Sequence, residues 1–242
     1  MEVQTPMTTI YLIRHAEAEG NVFGRVHGQY DSPVTAKGRE QIACLERRFA
    51  EIPVDAVYSS DLRRAMQTAE AIYVPKGLTL HTRPDLREIG FGSWEDLTYG
   101  ELMRTHMEEM MRFSTGAPDW KTEDGESMAE VTDRMERAVR EIAARHPGGT
   151  VCVVSHGTAL RLLLTRLTGS PAYLHEGFNT AVSRVEAEGD DLRVSWYNDS
   201  DHLTDKVMQR AVRPNTDVSE RKQAPPNMFW FRPWDAAKER SQ

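Results

Sequence analysis

The sequence is poor in cysteine, in long apolar runs and in net positive charge. Only two of its 242 residues are cysteines, Cys44 in a helical pattern and Cys152 in an apolar run, so we expect reduced, buried thiols and a cytoplasmic location. No window approaches the roughly 20 apolar residues of a membrane span, and residues 1–8 lack the regions of a signal peptide. The formal net charge of −7 argues against nucleic acid or an anionic membrane as a partner.

Common signatures of metal and nucleotide sites are also missing. The sequence contains no H-x-x-x-H or H-E-x-x-H spacing, no C-x-x-C pair and no G-x-x-x-x-G-K-[ST] loop. These patterns place zinc ligands together or surround a nucleotide phosphate with backbone N–H groups. Neither a metal ion nor an organic cofactor is therefore predicted.

What is present is an alternation of apolar strand patterns and amphipathic helix patterns. The predicted elements are strands 9–13, 55–59, 78–81 and 150–155, an antiparallel pair 180–187 and 191–198, and helices at about 36–51, 61–73, 97–112, 126–145 and 158–168. This order, with short connections, predicts an α/β fold. We expect a mostly parallel central sheet with helices on both faces and one antiparallel edge strand.

The chain is expected to form one main domain, residues 1–203, followed by a tail. Residues 97–125 are predicted to be a cap-like insertion over the site, whose methionines are either a core-facing stripe or an adaptable wall of a substrate pocket. The tail, residues 204–242, carries closely spaced aromatic residues: Phe229, Trp230, Phe231 and Trp234. Three roles are open for this tail: packing on its own domain, forming an interface in a homodimer, or acting as a lid over the substrate.

Two histidines directly follow predicted buried strands. Arg14-His15 comes after the apolar run 9–13, and Ser155-His156-Gly157 comes after the run 150–154. Open α/β sheets bind ligands at the carboxyl ends of their strands. Both histidines are therefore predicted to face one site.

Five sequence blocks, in order, resemble the motifs of the histidine phosphatase superfamily, also called the phosphoglycerate mutase-like family. They are 12–21 (LIRHAEAEGN), 31–38 (DSPVTAKG), 59–69 (SSDLRRAMQTA), 86–95 (LREIGFGSWE) and 154–157 (VSHG). The resemblance covers residues 9 to about 170 and, more weakly, continues to about 203. It implies a phosphoglycerate mutase-like fold and phosphoryl transfer through a covalent phosphohistidine.

The resemblance implies that His15 is the nucleophile. A neutral imidazole can attack phosphorus in line, and we expect a backbone carbonyl to fix its tautomer through the other ring nitrogen. Glu88, on a strand-like segment, is implied as the acid that protonates the leaving alkoxide and as the base that then activates water. Glu17 and Glu95 are weaker rivals for this role, and the other histidines, among them His27, are expected to be structural.

Two arginines are implied as clamps for the phosphoryl oxygens. Arg14 and Arg64 fit this role because a guanidinium is permanently charged and binds oxygen pairs in a fork. Arg63 lies next to Arg64 but points about 100° away around the predicted helix. Arg63 is therefore expected to lie on the surface.

Further phosphate contacts are implied in addition to the two arginines. His156 and Asn21 match family positions that contact the phosphate, whose charge is expected to favour the protonated form of His156. The backbone N–H groups of Gly157 and Thr158, at the start of a predicted helix, are expected to be free for the same anion. These four residues complete the predicted substrate-binding set.

The favoured activity is hydrolysis of a small phosphorylated metabolite. Family mutases carry an arginine-rich insertion that binds the substrate carboxylate, whereas residues 99–121 contain only Arg104, Arg112 and Lys121 as basic side chains. A phosphatase is therefore favoured over a cofactor-dependent phosphoglycerate mutase. A binding protein that has lost turnover is the third alternative, and the complete catalytic set argues against it.

Overall fold

A six-stranded mixed sheet forms the centre of the fold. The computed structural model describes residues 6–170, 177–204 and 207. Its strands are β1 (Thr8–Arg14), β2 (Ala56–Ser59), β3 (Leu80–Thr82), β4 (Thr150–Ser155), β5 (Val182–Glu188) and β6 (Asp191–Asp199). They lie in the order β3-β2-β4-β1-β5-β6, of which the first four are parallel and β5 is antiparallel to both β1 and β6. The predicted antiparallel pair is confirmed as the hairpin of β5 and β6, which lies at one edge of the sheet.

Helices cover both faces of this sheet, as predicted. They are α1 (Glu19–Phe23), α2 (Ala36–Phe49), α3 (Arg63–Tyr73), α4 (Tyr99–Thr105), α5 (Met107–Ser114), α6 (Met128–Arg145) and α7 (Gly157–Thr168). Neighbouring strand residues point to opposite faces, so Leu12 and Val153 enter one core with α6 and α7. Ile13 and Val154 enter a second core with α2 and α3.

Three local expectations are wrong. The predicted helix 97–112 is two helices, since His106 breaks it with φ −139° and ψ 42°. The helix predicted from residue 61 begins at Arg63, because the Asp61 carboxylate accepts two hydrogen bonds from Arg87, at 2.6 and 2.5 Å. The segment before Glu88 is a 3-10 turn, Pro84–Leu86, instead of a strand.

The methionine-rich insertion divides its side chains between core and solvent. Met110 is buried and Met103 packs against the larger core, whereas Met107 and Met111 are 53% and 52% exposed. Within the described part of the chain, no helix combines the length and apolar character needed to cross a membrane. The predicted tail, 204–242, lies outside the described residues apart from Thr204 and Val207.

Candidate active site

The parallel pairing of β1 with β4 brings two histidines together. Arg14 lies opposite Ser155 in the register, so His15 and His156 leave the sheet side by side at its carboxyl edge. Their ring centroids are 5.1 Å apart, and the residues are only 3% and 0% exposed. Two buried imidazoles thus face one another where an α/β sheet binds ligands.

His15 is held as a neutral ring with one nitrogen available for chemistry. Its Nδ1 lies 2.7 Å from the carbonyl oxygen of Ala16, which requires Nδ1 to carry the proton and leaves the lone pair on Nε2. Burial, and then the positive charges of Arg64 and Arg14, lowers the pKa of His15 well below its ordinary value. The ring is therefore an unprotonated nucleophile at neutral pH.

His156 presents polar atoms that call for a ligand. Neither of its ring nitrogens has a hydrogen-bond partner among the residues described, and buried polar groups without a partner are rare in folded proteins. Burial, followed by the charges of Arg64 and His15, lowers the pKa of His156 well below its ordinary value. The protonated form expected from the sequence therefore requires the negative charge of a bound phosphate.

The two predicted clamps approach the histidines from different elements. Arg64, in the first turn of α3, is fully buried and donates to the carbonyl groups of Gly28 and Tyr30, both at 2.7 Å. Burial lowers the pKa of Arg64 to about 10, so the side chain stays charged at neutral pH. Arg14 ends β1 and donates to the carbonyl of Gly177.

Gly157 and Arg63 take the positions that the sequence suggests for them. A Cβ atom on Gly157 would lie 3.3 Å from both Cζ and Nε of Arg14, so the start of α7 packs closely on that guanidinium. Arg63 is exposed, and its backbone N–H donates to Asp31 at 2.9 Å. Arg64, and not its neighbour, therefore faces the histidines.

Glu88 occupies the N-terminus of α7. Its carboxylate accepts hydrogen bonds from the N–H groups of Thr158 at 3.0 Å, Ala159 at 2.8 Å and Ile89 at 3.1 Å. This corrects the expectation that the N–H of Thr158 is free, because an acidic side chain is itself attracted to the positive end of a helix. The proposed acid and the anion-binding helix start are thus one connected unit.

The two rival carboxylates are bound to groups outside the histidine pair. Glu95 accepts from the N–H groups of Gln29 at 2.8 Å and Phe91 at 3.1 Å. Glu17 accepts from the hydroxyl of Thr35 at 2.8 Å and lies 3.8 Å from the ammonium group of Lys37. Both therefore have structural partners, which leaves Glu88 as the carboxylate at the helix start.

Asn21 is linked to His15 through Asn179, a residue that no sequence pattern indicates. Its Oδ1 accepts from the backbone N–H of Ala18 at 3.0 Å and from Nδ2 of Asn179 at 3.4 Å. Asn179 also donates to the carbonyl oxygen of His15 at 2.9 Å. The two asparagines thus hold the backbone of the nucleophile in place. The same contacts fix the orientation of the Asn21 side-chain amide.

Comparison with protein families decides the assignment. The model of the histidine phosphatase superfamily (branch 1) matches residues 10–200. The chain belongs to the histidine phosphatase superfamily. Similar proteins include "Probable phosphoglycerate mutase GpmB" of Proteus mirabilis, 36% identical over 217 residues, which are 86% of this chain and 100% of that protein. The protein of the same name from Cronobacter sakazakii is 34% identical over 74% of this chain and 85% of its own length.

Solved structures of this superfamily share the fold. Bacillus stearothermophilus YhfR superposes with a TM-score of 0.77 at 32% identity, covering 81% of this chain and 100% of that one. A mycobacterial glucosyl-3-phosphoglycerate phosphatase has a TM-score of 0.73 at 25% identity, covering 79% and 99%. Phosphoserine phosphatase of Entamoeba histolytica, in complex with phosphoserine, has a TM-score of 0.73 at 25% identity, covering 81% and 100%.

In this member of the histidine phosphatase superfamily, Arg134 supports Glu88 from α6. Arg134 donates to the backbone carbonyls of Asp85 at 3.0 Å, Arg87 at 2.7 Å and Glu88 at 2.9 Å. It also binds Glu126 through two hydrogen bonds of 2.8 Å. The sequence does not mark this role, because Arg134 is one of several arginines along α6.

Proposed function

We propose that this protein is a phosphatase that hydrolyses a small phosphomonoester through a covalent phosphohistidine on His15. The observation that carries the proposal is the neutral, buried His15 ring, oriented by Ala16, beside His156 and Arg64. A nucleophile that attacks phosphorus needs a free lone pair. The phosphoryl oxygens carry negative charge during the attack, so they need cations and N–H donors nearby. These conditions meet at one edge of the sheet.

In the first step, Nε2 of His15 attacks the phosphorus atom and the bond from phosphorus to the ester oxygen breaks. Arg14 and Arg64 offset the charge on the three phosphoryl oxygens, and His156 donates to one of them. Glu88 transfers a proton to the departing alkoxide, which leaves as an alcohol. Glu88 regains this proton from water in the second step.

In the second step, water attacks the phosphorus atom and the bond from phosphorus to His15 breaks. Glu88 accepts the proton of the attacking water, and the N–H groups of Thr158 and Ala159 hold its side-chain oxygens in place. Inorganic phosphate leaves, and His15 returns to the neutral tautomer that the carbonyl of Ala16 selects. The same carboxylate thus serves in both half-reactions.

The competing candidate is a phosphoglycerate mutase, which the names of the sequence relatives favour. A mutase must hold the substrate carboxylate, and the insertion supplies little for this purpose. Arg104 is exposed, and Arg112 already pairs with Asp119 at 2.8 Å. The names of the solved relatives, phosphatases for glucosyl-3-phosphoglycerate and phosphoserine, also favour hydrolysis.

The proposed setting is a cytoplasmic enzyme whose partner is a small phosphorylated metabolite. Cys44 and Cys152 are both buried and unpaired, which supports a reducing compartment. Neither nucleic acid nor a membrane surface is proposed as a partner, given the negative net charge. A homodimer stays an alternative that depends on the tail.

The test is a panel of phosphomonoesters assayed for released phosphate in the presence of a chelator. We expect turnover by the wild-type protein and an acid-labile phosphoenzyme, both absent in His15→Ala. Retention of most activity in His15→Ala would overturn the proposal. Net conversion of 3-phosphoglycerate to 2-phosphoglycerate, stimulated by the bisphosphate, would identify a mutase, and a silent panel would favour a binding protein.

A further inference from the structure

The residues directly before β5 hold both Arg14 and His15 by their backbones. The N–H of Thr180 donates to the carbonyl of Arg14 at 3.0 Å, and the N–H of Arg14 donates to the carbonyl of Ala181 at 3.1 Å. The side chain of Asn179 donates to the carbonyl of His15 at 2.9 Å. The nucleophile therefore takes part of its backbone position from these residues.

Thr180 is held in an unfavourable backbone conformation. Its φ angle is 59°, a left-handed value that is an outlier for a β-branched residue. Both Thr180 and Asn179 are fully buried. Such conformations persist only where surrounding contacts fix them, and they cluster at functional sites. The turn at Thr180 therefore needs side-chain partners that hold it.

A chain of hydrogen bonds with a single direction supplies these partners. Arg48, on α2, lies 3.1 Å from Nδ1 of His202, and a guanidinium can only donate. Nδ1 therefore accepts, so the ring carries its proton on Nε2, which lies 3.2 Å from the Thr180 hydroxyl. Thr180 in turn donates to the carbonyl of Asn179 at 2.7 Å. Only one tautomer of His202 satisfies the whole chain.

The donor at the start of this chain is itself fixed in place. Arg48 binds the carboxylate of Asp199 at 2.7 Å, and its guanidinium carbon lies 5.5 Å from the ring centroid of Trp196. Both partners belong to β6, so Arg48 joins α2 to the edge of the sheet. The His202 ring is thus oriented from one side by Arg48 and presents Nε2 to Thr180 on the other.

We propose that His202 is a positioning residue for the nucleophile, which it reaches through the turn at Thr180. The inference rests on the phosphatase activity proposed above and adds a residue outside the catalytic set to it. Without the bond from His202, the turn relaxes toward a favourable φ and releases the carbonyls of Arg14 and His15. The His15 ring then leaves the line of attack on phosphorus, and rates fall steeply with small displacements of a reacting group.

The first test uses two substitutions that remove the same ring but replace different nitrogens. The amide N–H of His202→Gln reaches the position of Nε2 and donates to Thr180, whereas the amide oxygen of His202→Asn reaches the position of Nδ1 and accepts only from Arg48. We expect phosphorylation of His15 by nitrophenyl phosphate to slow roughly tenfold in His202→Asn and to stay within about twofold of wild type in His202→Gln. Single-turnover release of nitrophenolate measures the rate. Equal rates in the two variants would overturn the proposal, because lost core volume affects both alike.

The second test is a matched pair at Thr180. Thr180→Val keeps the β-branched shape and lacks the hydroxyl, whereas Thr180→Ser keeps the hydroxyl. We expect Thr180→Val to lower kcat roughly tenfold with little change in KM, and Thr180→Ser to retain the wild-type kcat. A kcat that is unchanged in Thr180→Val, or lowered equally in both variants, would contradict the positioning role.

A measurement without substrate separates this inference from the proposed activity. Nitrogen NMR of the imidazole rings reports the tautomer of His15, whose signals are assigned by their loss in His15→Gln. We expect the Nδ1-protonated ring in wild type and in His202→Gln, and a mixture of tautomers in His202→Asn, because a displaced His15 loses its hydrogen bond to Ala16. That pattern in a protein that hydrolyses no ester would support the positioning role and refute the phosphatase. Identical His15 spectra in both variants would refute the positioning role, and the phosphatase would stand if the ester panel shows turnover.

Discussion

The guanidinium of Arg134 donates a hydrogen bond of 2.9 Å to the backbone carbonyl of Glu88. The same side chain holds the carbonyls of Asp85 and Arg87 and is itself paired with Glu126. Glu126 in turn accepts a hydrogen bond of 2.8 Å from the backbone N–H of Gly90. The segment that presents the Glu88 carboxylate to α7 is therefore supported from α6.

Replacing Arg134 with lysine should weaken the support of Glu88. A lysine cannot bind three carbonyls and a carboxylate at once, so we expect a loss of about 2 kcal/mol in the free energy of unfolding. We also expect kcat to fall more for alkyl phosphates than for nitrophenyl phosphate, with KM little changed. Denaturant titration and steady-state rates measure these effects.

Arg166→Lys is the matched control for that substitution. Arg166 makes ion pairs with Asp133 and Glu136 and is 46% exposed, so its change should alter the free energy of unfolding by less than about 1 kcal/mol. If Arg134→Lys destabilised the protein but slowed both classes of ester equally, Arg134 would have a structural role only.

Glu88→Gln should separate substrates by the quality of their leaving groups. An amide keeps the shape but cannot give up a proton, so we expect alkyl phosphates to be hydrolysed roughly 10²–10⁴ times more slowly. Nitrophenyl phosphate, whose leaving group needs no proton, should be affected much less. Glu95→Gln should slow both esters alike, because Glu95 holds backbone N–H groups. Equal slowing of both esters in Glu88→Gln would remove Glu88 from the acid role.

The buried histidines should make the folded state sensitive to acid. Burial lowers the pKa of His15, His156 and His27, that of His27 to about 3, whereas the unfolded chain titrates near 6.5. Below that pH the unfolded chain binds protons that the folded chain does not, so the free energy of unfolding falls as the pH falls. Each such histidine contributes a slope of up to roughly 1.4 kcal/mol per pH unit.

Urea unfolding at several values between pH 7 and pH 5 measures that slope. His27→Gln removes one of the three groups and should lower the slope by up to roughly 1.4 kcal/mol per pH unit. Glutamine keeps a polar group near Ser32, which accepts or donates the 2.8 Å hydrogen bond of His27 in the wild type. The same slope in both proteins would contradict the buried, neutral state of His27.

Gly157→Ala should affect phosphate binding through Arg14. The added Cβ would lie 3.3 Å from the guanidinium, which must then move by a few tenths of an ångström. We expect KM for phosphomonoesters and the inhibition constant of vanadate to rise roughly threefold to tenfold, with no loss of stability because alanine favours helix. Gly100→Ala is the control, since its Cβ would meet only Thr98, at 3.9 Å. Unchanged constants in Gly157→Ala would mean that Arg14 does not hold the phosphate.

Sequence patterns predicted the histidine pair because its position follows from strand order alone. His15 and His156 each end a run of apolar residues, and parallel strands bring such ends to one edge of the sheet. Arg63 and Arg64 could also be told apart, since the helical period separates the two directions. The histidine pair needed only local patterns and a topology rule, whereas the choice of Arg64 as a clamp came from the family resemblance.

The support of Glu88 could not be predicted in this way. Arg134 acts on carbonyl groups 46 to 49 residues earlier in the chain, and any residue type supplies a carbonyl. The start of α3 was misplaced for a related reason, because the Asp61 side chain binds the distant Arg87. Contacts between a side chain and a remote backbone leave no periodic trace in the sequence.

Strands β1 and β4 cannot change in length without loss. Their side chains alternate between the two cores, so an inserted residue would send Ile13 or Val154 into the wrong core and turn a histidine away from its partner. The hairpin turn at Gly189 has no such restriction, because a Cβ atom there meets nothing within 4 Å. Homologous chains should therefore accept insertions at that turn and keep the two central strands at constant length.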